Sequence, residues 1–162
     1  RVQLLNSLGY NVMISDYTRY FSLRAYFRQF TQLQIGIVVG MVNVKQIFDE
    51  SFYRGVEGGI LEGFGKLFPD NTRLFIYPEM DQDGHISEIT DVKVPDHLRF
   101  LYRHLLENDF LHGIECSNPE LFNIYSREIL KQLSGGTDGW QQYLPDGVAE
   151  EIINNKFFGY RG

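Results

Sequence analysis

Residues whose types and spacing could do chemistry fall into a few groups, and the most extensive is positional. Ser15, Asp16 and Thr18 follow one apolar run, Gly40 and Asn43 follow a second, and Tyr77 and Glu79 follow a third. If the three runs are parallel strands, all of these residues lie along one sheet edge, where open α/β sheets bind their ligands. Ser15, Asp16, Thr18, Gly40, Asn43 and Glu79 are therefore the candidate ligand-binding residues. No complete catalytic motif accompanies them, and the residues single out no cofactor.

A second group is the glycine cluster Gly58, Gly59, Gly63 and Gly65, followed by Lys66. Bare backbone amides at a helix start can cradle phosphate. A Walker loop ending at Gly65-Lys66, however, needs glycine at 60 and Ser or Thr at 67, where Ile60 and Leu67 stand, and the four glycines do not form G-x-G-x-x-G. The mismatch favours close packing over phosphate contact.

The stretch from Glu79 to Ser87 has the oxygens, the glycine at loop position six (Gly84) and the apolar residue at eight (Ile86) of an EF-hand loop. Position twelve is Thr90 instead of glutamate, and Pro78 precedes the loop where a helix should, so a polar turn between extended segments is expected and no metal site. His97 and His104 are seven apart, with His112 beyond, whereas helical metal ligands usually stand three or four apart. Cys116 has no paired motif and reads as a structural thiol. Aromatics and arginines interleave from Tyr17 to Arg28 as on RNA-binding surfaces, but a core face plus a solvated face explains them equally well.

Composition narrows the partners. Fifteen Lys and Arg against 21 Asp and Glu leave a net charge of -6, which argues against nucleic acid and anionic lipid. No apolar window reaches the ~18 residues of a membrane span. One cysteine excludes an internal disulfide and fits a reducing, cytoplasmic setting. The expected partners are neighbouring domains of the same polypeptide and a nucleotide-like small molecule.

The elements that must position these residues follow from periodicity. Residues 34–40 (QIGIVVG) form a short β-branched run closed by glycine, which reads as a central parallel strand covered on both faces. A helix at 2–8 with Gly9 as its stop precedes a strand at 10–15. A crossover helix at 19–30 then carries Tyr20, Leu23, Phe27 and Phe30 on its apolar face and Arg24 and Arg28 on the other. Asn43 is placed to cap a helix through Phe48, residues 58–68 have helical spacing, and 73–77 form the third strand. Helices after Pro95, near Pro119 and after Pro145 complete the chain. The predicted fold is α/β, a three-layer Rossmann-like parallel sheet of about three strands over 1–94 followed by a helical half over 95–162. With Arg1 where an initiator methionine would stand, it reads as one structural domain excised from a longer chain.

Residues 10–15 (YNVMIS), 58–65 (GGILEGFG), 97–102 (HLRFLY) and the ending from Leu144-Pro145-Asp146-Gly147 to Phe158-Gly159-Tyr160 carry a resemblance. They resemble the C-terminal part of long bacterial proteins labelled nicotinate-nucleotide adenylyltransferase-like, over nearly the whole chain. The resemblance implies a nucleotide-handling context. It transfers no catalytic residue, because neither the H-x-G-H type motif nor the Ser/Thr-rich motif with arginine occurs here. The two expected functions are a Rossmann-like domain of a larger nucleotide-handling protein and a non-catalytic interaction or scaffold module.

Overall fold

The computed structural model describes residues 1–69, 71–81, 83–115, 118, 121–122 and 124–160. It divides into two compact units, one running Asp16–Ser117 and the other combining Arg1–Ser15 with Asn118–Gly162.

The first unit is built on three parallel strands, β1 (Ile35–Gly40), β2 (Thr72–Tyr77) and β5 (Leu111–Gly113), in the order β1-β2-β5. A short antiparallel ribbon, β3 (Glu79–Met80) with β4 (Ile86–Ser87), follows β2. Register places Ile37 opposite Leu74, Gly40 opposite Tyr77, and Leu74 opposite Leu111. The helices are α2 (Tyr20–Phe27), α3 (Met41–Ile47), α4 (Gly59–Leu67) and α5 (Arg99–Glu107).

Side chains alternate across a strand, so this register sends Val39, Leu74, Ile76 and Leu111 to one face. There they form one buried cluster with Val44 and Ile47 of α3, Phe64 and Leu67 of α4, and Tyr102 and Leu105 of α5. Each such side chain, fully buried, contributes about 1.5–3 kcal/mol of apolar transfer. The opposite face carries Val38 and Tyr77, which are 65% and 50% exposed. Within this unit the helices gather on one face, giving two layers where three were expected.

Three further expectations are corrected. Among the described strands the glycine-closed run stands at an edge with β2 in the middle, and it is covered on one face only, since Gly36 and Val38 on the other are exposed. Residues 10–18 form no strand; Tyr10 and Ile14 are 63% and 82% exposed, so that segment has neither a ladder nor a core to join. Helix α2 ends at Phe27, and Phe27 and Phe30 are exposed. Its inward side carries Tyr20, as expected, and Phe21, both packed on the cluster, together with Arg24, which donates to Thr72 Oγ1 and the Pro69 carbonyl, both at 3.4 Å. A charged residue can face inward when carbonyl and hydroxyl oxygens receive it.

The division expected near residue 95 does not coincide with the division of contacts, since α5 and the unforeseen strand β5 belong with the sheet. Cys116 and the expected helix start at Pro119 lie outside the described residues.

The second unit brings α1 (Val2–Ser7) together with α6 (Ser126–Gly135) and α7 (Val148–Asn155). Its core is Leu4, Ile129, Leu133, Trp140, Val148 and Ile152. Helix α6 stops at Gly136, whose φ of 67° is the left-handed geometry glycine adopts at little cost. No helix among the described residues is long and apolar enough to cross a membrane.

Candidate ligand groove

The strand ends come first, because the sequence placed the ligand there. The structure brings Gly40, Asn43 and Glu79 to the C-terminal edge of the sheet. The Gly40 N–H, which a ligand would need, donates instead to Asn43 Oδ1 at 3.2 Å, fastening the first turn of α3 to β1. A Cβ on Gly40 would lie 2.8 Å from the Tyr77 hydroxyl, the far end of a half-exposed side chain that would have to move aside. Glu79 lies 3.9 Å from Lys45, both largely exposed, so this pair contributes little. Burial, and then the neighbouring Tyr77, holds the Tyr20 phenol above its ordinary range; Tyr20 is a member of this edge that no sequence signal indicated. Ser15, Asp16 and Thr18 are exposed on the irregular stretch and follow no strand.

Topology explains why the edge is so self-contained. Ligand crevices in open sheets form where strand order reverses. Here strand order follows chain order, and the described strands contain no such switch point.

A more open concavity lies between α2 and α4, about 570 Å³ in volume. Tyr17, Phe21 and Tyr26 supply aromatic walls, Arg24 and Lys66 supply positive charge, and Ser22 and Gln29 supply neutral polar groups. Tyr17 and Tyr26 have ring centroids 5.7 Å apart, and Phe30 supports Tyr26 from 5.1 Å. Arg24 is fixed by its bonds to Thr72 and Pro69. Lys66 pairs with Glu62, whose carboxyl is held below its usual range by Lys66 and then by the Gly58 N–H. Glu62 itself is not part of the lining. Volume, aromatic walls and a few polar groups are what small-molecule sites share.

The glycine segment is helical, as expected, and its glycines divide by cause. Gly63 is buried against Tyr53, and an added Cβ would overlap Cε1 and Cδ1 of that ring. The close packing expected of this glycine is therefore packing against an aromatic side chain. The ring cannot easily retreat, because Tyr53 donates its hydroxyl to the Ile47 carbonyl at 2.8 Å and is buried. Gly59 has a φ of 58° and no neighbour within 4 Å, so conformation selects it.

Of the remaining candidates, Asp81, Asp83 and His85 place ligand atoms within 4.8 Å of one another, all exposed. Asp81 Oδ1 already accepts from the N–H groups of Asp83 and His85, each at 2.9 Å, which lowers its carboxyl pKa and closes the β3–β4 turn. The other three histidines keep separate company: His97 with Glu50 at 3.0 Å, His104 beside Asn108, and His112 stacked on Phe75 at 5.4 Å. Comparison with protein-family models, with curated proteins and with solved structures finds no match.

Proposed function

We propose that this chain is an α/β module of a larger, nucleotide-handling protein, and that it binds a nucleotide-like small molecule in the α2–α4 groove. The observation that carries the reading is the pairing of aromatic walls with two cations, Arg24 and Lys66, in one concavity. A planar ring can lie against tyrosine and phenylalanine faces while guanidinium and ammonium groups meet a phosphate. The resemblance to nicotinate-nucleotide adenylyltransferase-like proteins supports the same ligand class. The module contributes binding, with any catalytic residues supplied by other parts of that protein.

Thermal denaturation against a panel of nucleotides and sugar phosphates tests this. A member at a hundredfold excess over its Kd should stabilise the fold by about 2.7 kcal/mol. An unchanged melting temperature with every member, at saturating concentration, contradicts it.

A second reading, an interaction module without a small-molecule site, has its own support. Val38 and Tyr77 are each at least half exposed on the uncovered sheet face, and apolar surface of this kind can mark a docking face.

A further inference from the structure

Strand β1 is open along one side. The Ile35 N–H donates to the Asn71 carbonyl at 2.8 Å and Ile35 lies opposite Thr72, so Ile35, Ile37 and Val39 turn their backbone groups toward β2. Gly36, Val38 and Gly40 turn theirs outward, where no described strand pairs with them. Asn43 receives the Gly40 N–H, which leaves the N–H and C=O groups of Gly36 and Val38, both exposed residues, as the open part of the edge.

Natural sheets keep such edges from pairing by shortness, charge, proline or a bulge. The opposite edge has the first of these, since β5 is three residues long. Strand β1 has none: it is six residues long, its register against β2 is unbroken, and residues 31–44 contain no charged side chain and no proline. Leu33, Val38 and Val42, which stand before, within and after the strand, are 77%, 65% and 65% exposed. Open hydrogen-bonding groups with an apolar margin are a template for another strand.

Charge and register select the occupant. The chain carries a net charge of -6, yet this edge offers no charge either to attract a charged partner or to repel a second copy. Antiparallel pairing about Ile37 sets Gly36 opposite Val38 of the second copy, and Val38 opposite its Gly36, so the outward groups exchange hydrogen bonds at both places. The same patch meets itself, as a two-fold interface requires. Gly36 has no side chain to obstruct the approach, and the Phe75 ring, whose Cε2 is 2.9 Å from where a Cβ on Gly36 would stand, offers the incoming valine an apolar surface. We infer that β1 pairs with β1 of a second copy of this chain, joining the two sheets into one across a two-fold axis. Leu33, Gly36, Val38 and Val42 do not line the α2–α4 groove, so this contact does not rest on the ligand reading.

Sedimentation equilibrium of the 162-residue chain from about 1 μM to about 1 mM should show a monomer passing into a dimer. Val38→Lys and Val38→Glu each place like charges diagonally across the two-fold axis, and each should weaken the dimer about tenfold or more while melting, when dilute, as the wild-type monomer does. An equimolar mixture of the two variants should associate more tightly than either alone. Hydrogen exchange of the wild type should slow at the Gly36 and Val38 amides as concentration rises, and change little at Ile37 and Val39, which already face β2.

A wild type that stays monomeric throughout overturns the inference. So does a dimer that both variants leave intact, a mixture no tighter than the separate variants, or a dimer in which the Gly36 and Val38 amides exchange as fast as in the monomer.

Discussion

Two glycines two residues apart on α4 differ in what an added Cβ would meet, the Tyr53 ring at Gly63 and nothing within 4 Å at Gly65, and that contrast is the sharpest residue-scale consequence of the structure. Gly63→Val drives branched carbons into the buried Tyr53 ring and should cost about 1–3 kcal/mol or more in chemical denaturation. Adding Tyr53→Leu should recover part of that loss. A Gly63→Val protein as stable as wild type would show that the ring yields. Tyr102 makes a separate, pH-dependent contribution. Burial, and then nearby Asp91, pushes its phenol up to about 12, and its hydroxyl donates to the Ile89 carbonyl. The folded state therefore keeps a proton that the unfolded chain releases near pH 10, so this stabilisation is complete below about pH 10 and is lost as pH rises toward about 12. Tyr102→Phe should cost about 1–3 kcal/mol at neutral pH by orphaning the Ile89 carbonyl, and should flatten the decline above about pH 10. An undiminished decline in the variant would assign it to other groups.

Among the elements, the β1–α3 junction depends on one side chain. Asn43 was expected at the N-cap but stands inside the first turn, from which it accepts the Gly40 N–H. Asn43→Ala should cost roughly 1 kcal/mol in urea denaturation. Asn43→Asp, which keeps the acceptor, should retain most of the stability; equal losses in the two variants would deny the bond any importance. Elements with strong local signals were legible from sequence alone: the β-branched run at 35–40, the helical spacing at 59–67 despite its glycines, and the strand stopped by Pro78. What failed depended on long-range partners. Residues 10–15 have strand composition but no adjacent strand, and the three-residue β5 carries too short a pattern to read, although it is the third strand of the sheet. The candidate site was half legible for the same reason. Strand ends could be located, but the groove arises from α2 packing beside α4, which periodicity cannot orient when Arg24 turns inward and Phe30 outward.

At the scale of the whole molecule, the chain's first residues and its last belong to the same unit. Leu4 sits in one cluster with Ile129, Leu133, Trp140, Val148 and Ile152. Leu4→Ala should therefore loosen α6 and α7 by about 2–4 kcal/mol while leaving the sheet unit intact. Hydrogen exchange should show faster amides at 126–155 and unchanged ones at 72–77, and equal acceleration in both would mean that the two units unfold together. The groove lies wholly in the sheet unit, so its ligand should bind Leu4→Ala as it binds wild type. The most direct measurement of the proposed function is a map of backbone amide shifts as a nucleoside monophosphate is titrated into the isotope-labelled chain. Shifts concentrated at Tyr17, Ser22, Arg24, Tyr26, Gln29, Gly65 and Lys66 are the predicted result, whereas shifts centred on Gly40, Asn43 and Glu79, or none at all, would contradict the groove.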